Sequence, residues 1–237
     1  MDGAFSPPPG PETLLLFDID GTLLTGVPPT HRQAICDACQ EVFGMRVPLE
    51  AIRDTAGRTD TAIVYAVLAS VGIDRATVTP RLPDFFAAMA RAYERYQPVD
   101  LRYALTPGAD KALAHLASRH ICMGLVTGNM AAIAWAKLRA AGIAAYFCCG
   151  AFGDEAEERA PLARLAKARA ELRCARRFAN DAVFIIGDTP HDIACGIICG
   201  YHTIGVATGR FHTYADLLAC SPNHLLPNLG ALVNLIP

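Results

Sequence analysis

Charge is scarce in this chain, and what there is comes balanced: 23 acidic residues against 21 basic ones leave a net charge of −2 over 237 residues. That balance offers no broad basic field to a polyanion, which argues against a module for binding DNA or RNA. Long apolar runs are missing too, and no stretch approaches the ~20 uninterrupted apolar residues of a membrane span. There is no internal repeat. Low-complexity sequence is confined to the start, Met1 to Glu12, which is Pro-rich, acidic and without an apolar signal core. It reads as a loose, flexible tail rather than a targeting peptide, so a cytoplasmic protein is expected. With 52% hydrophobic residues, the chain has enough apolar content for one large core plus a smaller inserted unit.

The nine cysteines form no recognisable framework, and an odd count of that kind suits a reducing compartment. Cys36 and Cys39 have the two-residue spacing of a redox or zinc pair, but no second pair accompanies them and their segment reads as helix. Cys195 and Cys199, four apart on a helix, and Cys148 and Cys149, adjacent on an expected strand, read as small buried hydrophobes. The seven histidines make no metal triad. His191 reads as a loop residue, and Trp135, on an apolar helix face, as core.

What is present concentrates in three places. Residues 14 to 25, Leu-Leu-Leu-Phe-Asp-Ile-Asp-Gly-Thr-Leu-Leu-Thr, are an apolar strand ending in Asp18 and Asp20, followed by Gly21 for a tight exit loop. Residues 182 to 188, Ala-Val-Phe-Ile-Ile-Gly-Asp, repeat the pattern and lead through Thr189, Pro190 and His191 to Asp192 and a helix. Ligands of open parallel α/β sheets bind beyond the strands' carboxyl ends, where these acids fall. Solvated turn aspartates are the plainer alternative for the first pair. Four converging carboxylates, Asp18, Asp20, Asp188 and Asp192, repel one another unless a cation sits among them, and an all-oxygen set suits magnesium. The third place is Thr127-Gly128-Asn129, at the end of a short strand and before a helix from Met130 to Ala141. It is either a phosphate-oxygen site or an ordinary turn and cap.

The fold expected is α/β, a doubly wound parallel sheet with a Rossmann-like core and an inserted all-helical cap. Strands are expected near 14–18, 121–126, 146–149, 182–187 and 202–206, with helices after Pro107, Met130, Pro161, Pro190 and Thr213. From about Val27 to Asp100 strand-like alternation is absent. Helices are expected from Thr30 to Phe43, Thr59 to Ser70 and Pro83 to Tyr96. This gives a core of 13–26 and 101–237 and a cap of 27–100, hinged near Thr25-Gly26 and Pro98 to Leu101. Within the cap, Gly57-Arg58-Thr59-Asp60 lies at a break before a helix, where Arg58 and its neighbouring amides would face an anionic substrate, or where Thr59 or Asp60 simply caps the helix.

In their order and strand context, Asp18-Ile-Asp20-Gly-Thr22, Thr127-Gly128-Asn129 and Gly187-Asp188-Thr189-Pro190-His191-Asp192 make the chain resemble the haloacid dehalogenase superfamily. The match lies in its magnesium-dependent phosphatase branch, near the phosphoglycolate phosphatase-like group. The resemblance implies Asp18 as nucleophile, forming an aspartyl-phosphate, and Asp20 as the acid that becomes the base. It implies Mg2+ held by the Asp18 carboxylate, the Asp20 carbonyl and Asp188, with Asp192 steering ligands or water. Thr127, Gly128 and Asn129 would hold phosphoryl oxygens.

One departure stands out, since no Lys-Pro occurs between Gly150 and Arg177, where the family carries a lysine. Arg159 is the best-placed substitute. Lys167 competes, but falls about two helical turns on, among the basic helix face of Arg164, Arg169 and Arg173. The expected activity is hydrolysis of a small phosphorylated metabolite. A phosphoglucomutase-like transfer, with Arg58 gripping a second phosphate, and a non-catalytic phosphate-binding protein of the same fold are the alternatives. True dehalogenation is disfavoured by Asp20 and Asp188. Oligomeric state is not readable.

Overall fold

The computed structural model describes residues 13–236. The tail expected for Met1 to Glu12 lies outside the described residues.

Six parallel strands form one sheet in the order β3-β2-β1-β4-β5-β6: β1 (Leu14–Phe17), β2 (Cys122–Val126), β3 (Cys149–Ala151), β4 (Val183–Gly187), β5 (His202–Val206) and β6 (His224–Leu226). β1 is central, and Phe17 pairs in register with Leu125 on one side and Ile186 on the other. The next residues of the three strands therefore emerge side by side at one edge, which is where the motifs sit. The side chains of β1 alternate between two apolar layers, as the pleat requires. Leu15 and Phe17 face one layer with Met123, Phe184 and Ile204. Leu14 and Leu16 face the other with Val183, Ile185 and the alanines at 160, 163, 166 and 170.

The helices on the sheet are α5 (Ala109–Ser118), α6 (Ala131–Ala140), α7 (Arg159–Cys174), α8 (Pro190–Cys199), α9 (Tyr214–Ala219) and α10 (Leu232–Leu235). Between β1 and α5 the regular elements are all helical: α1 (Thr30–Phe43), α2 (Asp60–Ser70), α3 (Arg75–Val78) and α4 (Leu82–Tyr96), with short 3-10 turns. Gly44, in the left-handed conformation, closes α1, and Thr59 caps α2 by accepting from the Ala62 N–H. The inserted helices share an apolar cluster of their own, which takes in Met130 and Ile133 from the α6 region.

Four expectations need correction. The third strand begins at Cys149 rather than residue 146, because Ala144–Tyr146 is a 3-10 turn, and this leaves Cys148 just before the strand. The helix expected after Pro161 begins at Arg159, so the proline lies inside its first turn, where its missing N–H costs nothing. His191 is the second residue of α8, not a loop residue. β6, three residues at the sheet edge, was not expected.

Candidate active site

Asp18 follows β1 directly, and its N–H donates to Ile186 O at 2.9 Å, a continuation of the ladder that fixes where its side chain leaves the sheet. Asp188 follows β4, and Asp192 is the third residue of α8. One oxygen from each of Asp18, Asp188 and Asp192 lies within 4.8 Å of the others, and all three residues are buried. Two glycines make the space around Asp188. A Cβ on Gly21 would come within 2.1 Å of its Oδ2, and one on Gly209 within 2.0 Å. Gly21 also takes a φ of 89°, which other residues rarely adopt.

Arg159, the first residue of α7, enters this acidic group. Its guanidinium Nη2 lies 3.1 Å from Asp18 Oδ1 and 2.5 Å from Asp192 Oδ1, and it also donates to Val126 O at 2.9 Å. Lys167 lies two turns further along and pairs with Glu171 on the same helix. Asp192 has both oxygens engaged, Oδ1 by Arg159 and Oδ2 by the Thr189 N–H and hydroxyl in a capping box. It is built to hold Arg159.

One cation does not neutralise three carboxylates. Burial, joined by the charges of Asp192 and Asp20, outweighs Arg159 and pushes Asp18 up to about 6. Burial and the charges of Asp18 and Asp192 push Asp188 up to about 8, although Thr22 Oγ1 donates to it at 2.9 Å. Surplus negative charge on hard oxygen donors, in a space kept clear by two glycines, fits a small divalent cation such as Mg2+.

Asp20 sits in a different setting. Its side chain is 44% exposed, and its Oδ2 accepts from Lys137 Nζ at 2.5 Å and from Asn129 Nδ2 at 2.9 Å. Burial pulls its pKa up, but the charge and hydrogen bond of Lys137 win and hold the carboxyl below its ordinary value. Lys137 is 2% exposed and also donates to Asn129 Oδ1 at 2.7 Å. Thr127 is fully buried, and its hydroxyl accepts from Asn129 Nδ2 at 2.8 Å.

The segment from Gly57 to Thr61 packs directly onto this loop. Asp60 N–H donates to Gly128 O at 2.8 Å, Thr61 N–H to Gly153 O at 3.0 Å and Thr59 Oγ1 to Glu157 O at 2.7 Å. The approach is so close that a Cβ on Gly128 would fall 2.0 Å from Arg58 O. Arg58 does not reach towards the carboxylates; its Nη2 donates to Ala62 O at 3.1 Å. Asp60 instead spans the two units. Its Oδ2 accepts from Met130 N–H at 2.7 Å and lies 3.0 Å from His31 Nε2. Asp60 and Asp154 thus satisfy the first N–H groups of α6, which has no cap of its own.

The structure therefore gathers Asp18, Asp20, Thr127, Gly128, Asn129, Arg159, Asp188 and Asp192 at one sheet edge, and leaves Arg58 turned back on its own helix. Sequence reasoning missed Lys137 and His31, and it named Asp60 and Thr22 within their motifs without the contacts they make here. For Lys137 a signal existed: it falls on the α6 face of Ile133, Ala134 and Leu138, an apolar stripe where a lysine needs a partner.

Comparison with known proteins agrees with this geometry. The pattern described as haloacid dehalogenase-like hydrolase matches residues 13–200. The phosphoglycolate phosphatase of Neisseria meningitidis is 27% identical over 206 residues, covering 86% of this chain and 83% of its own length. That of Cereibacter sphaeroides is 27% identical over 217 residues, 91% of each. Among solved structures, a hydrolase from Pseudomonas syringae superposes with a TM-score of 0.65 at 19% identity, covering 94% of this chain and 96% of the other, a likeness of fold.

Proposed function

The chain belongs to the haloacid dehalogenase-like hydrolases, and from that premise we propose that it is a magnesium-dependent phosphatase acting on a small phosphorylated metabolite, of the phosphoglycolate or sugar-phosphate kind, through an aspartyl-phosphate. The observation that carries this reading is the meeting of Asp18, Asp188 and Arg159 beyond the central strands.

In the first half-reaction an Asp18 oxygen attacks phosphorus as the ester P–O bond breaks, and Asp20 gives its proton to the leaving oxygen. In the second, water attacks the same phosphorus, Asp20 takes the water's proton, and inorganic phosphate departs with Asp18 restored. Lys137 keeps Asp20 ionised in the free site, the form needed for the second step. A dianionic phosphate beside Asp20 opposes the pull of Lys137 and raises the carboxyl's hold on a proton, the form needed for the first. Arg159 orients Asp18 and offsets charge on the phosphoryl oxygens, while Asp192 keeps the guanidinium in place. Thr127 and the amides of Gly128 and Asn129 line the place where those oxygens would rest.

The Asp18 and Asp188 carboxylates and the Asp20 carbonyl would hold Mg2+, with Asp192 in reach but already bonded. When bound, the ion lowers the repulsion between a dianionic phosphate and an anionic nucleophile.

Residues 27–100 would act as a cap on the core of 13–26 and 101–237, with its hinges near Thr25-Gly26 and residues 98–101. The contacts of Asp60 and Thr61 support a closed position that excludes water. Only Asp20 among the site carboxylates is open to solvent, which favours a small substrate. The mutase alternative needs a grip on a second phosphate, and Arg58 is spent on Ala62 O. No described helix is long and apolar enough to cross a membrane.

The test is release of p-nitrophenol from p-nitrophenyl phosphate with Mg2+, with EDTA, and in Asp18→Asn, followed by a panel of phosphorylated metabolites. Metal-dependent release that vanishes in the variant is expected. Release that ignores both EDTA and Asp18→Asn would end the proposal.

A further inference from the structure

At the edge of the sheet opposite the carboxylates, three cysteines from three separate elements point at one spot. Cys122 opens β2, Cys148 immediately precedes β3, and Cys174 is the last residue of α7. Cys122 Sγ is 2.9 Å from Cys174 Sγ and 3.6 Å from Cys148 Sγ, and one sulfur from each lies within 4.8 Å of the others. All three are free thiols. The spacing is too long for a disulfide, in which sulfurs lie about 2.05 Å apart. Both spacings fall short of the separation of about 3.8 Å that two thiolates take when bound at about 2.3 Å in a tetrahedral metal site, so an ion would seat by spreading the sulfurs within a group that already converges. Among the described residues no other group of three cysteines converges this way.

Each thiol is held by backbone structure rather than by chance packing. Cys148 N–H donates to Met123 O at 2.9 Å, which ties the approach to β3 to the neighbouring strand. Cys174 is fixed by the left-handed turn at Ala175, after which Arg176 N–H donates back to Glu171 O at 3.0 Å. Cys122 is buried, whereas Cys148 and Cys174 are half-buried, so solvent and an ion can reach the group from one side. Arg169 and Arg176 place positive charge near Cys149 and Cys174.

We propose that Cys122, Cys148 and Cys174 form a site for a thiophilic d10 cation, Zn2+ or Cu+, separate from the carboxylate centre and independent of the phosphatase reading. The hard carboxylates at one edge select Mg2+, and the soft sulfurs at the other select against it. Three thiolates and one open side leave a fourth position for water on Zn2+ or a three-coordinate arrangement for Cu+. Binding displaces thiol protons and makes no redox demand. A bound ion would fasten β2, the approach to β3 and the C-terminal end of α7, the helix whose other end presents Arg159.

The experiment uses the whole chain, reduced, stripped with a chelator and held in excess Mg2+ so that the carboxylates are saturated. Titration with Co2+ and Cd2+, spectroscopic stand-ins for Zn2+, and anaerobically with Cu+ distinguishes the two ions. One equivalent with a thiolate-to-metal charge-transfer band is expected. Cys174→Ala and Cys148→Ser should each weaken binding by at least about 100-fold, the upper end of what losing even an outer partner costs. Cys220→Ser should leave it unchanged. Both altered positions are half-buried, and circular dichroism checks that the variants fold. The proposal is overturned by absence of the band at one equivalent, by a band that survives both variants, or by thiol counts showing an oxidised pair in a protein that takes up no metal after reduction.

Discussion

Asp18 and Asp20 leave the same strand one residue apart and face opposite electrostatic regions. On the Asp18 side, three buried carboxylates share one guanidinium, and Asp18 and Asp188 titrate well above an ordinary aspartate. On the Asp20 side, a single carboxylate has a buried lysine to itself and titrates below. The first region is short of positive charge and the second is balanced. A place built to receive a cation looks like the first, and a place built to set one proton looks like the second.

The largest test of this contrast is Asp18→Asn. Loss of the proposed nucleophile should lower kcat by at least about 10,000-fold, in line with other covalent catalysts stripped of theirs. Steady-state turnover of p-nitrophenyl phosphate measures it, and a fall of only a few fold would mean that another group attacks phosphorus. Next is Arg159→Ala. A charged donor aimed at developing phosphoryl charge is worth about 100- to 1,000-fold in kcat. Lys167→Ala should change kcat by less than about twofold, because its partner is Glu171 alone. Equal effects would show that Arg159 is merely structural.

Stability should separate the two regions by sign. Asp20→Ala leaves Lys137, 2% exposed, without its charge partner and should cost about 1–2 kcal/mol, less than breaking a fully buried pair because Asp20 itself is 44% exposed. Asp188→Asn removes a charge that the metal-free fold resists, so it should raise the melting temperature in EDTA while abolishing Mg2+-dependent turnover. Thermal unfolding of both variants against the parent checks this, and a shift of the same sign in both would erase the distinction.

Much of this layout was legible in the chain. Leu14 to Phe17 and Val183 to Gly187 are unbroken apolar runs of strand length, and each is followed by an acid, so the central strand and its neighbour were readable from the chain alone. Arg159 was found by counting back from an amphipathic helix, although the helix itself starts at that residue. β3 and β6 were misread or missed because edge strands of three residues carry too few side chains to show a period. The partners of Asp20 and Asp60 were hidden for another reason. Lys137 lies 117 residues from Asp20, a pairing made only when α6 packs beside the end of β1, and Met130 lies 70 from Asp60, a pairing made only when the inserted helices meet the start of α6. Arg58 looked like a substrate contact because sequence shows that a guanidinium is near a helix start, not which way it folds.

The smallest expected effect is also the most direct reading of the charge imbalance. Asp18 at about 6 and Asp188 at about 8 both stand above the 3.8 of an unperturbed aspartate, so between those values the folded chain binds more protons than the unfolded one. Their contribution to metal-free stability is thus fully present below pH about 4 and is lost as pH rises through 6 and 8. Asp20, shifted the other way, contributes stability above its unfolded value and loses it as pH falls towards its lower folded one, so it does not offset the trend at neutral pH. The proposed Mg2+ site requires ionised carboxylates, so stabilisation by the ion should grow as pH rises over the same interval. At tenfold excess over its Kd, Mg2+ should add about 1.4 kcal/mol at pH 8, a rise in Tm of about 3–5 °C for a chain of this size, and much less at pH 5.5. Melting curves with Mg2+ or EDTA across that range measure the difference, and Asp188→Asn should flatten it. A Mg2+ effect independent of pH in the parent chain would mean that the carboxylates beyond β1 and β4 are not where the ion binds.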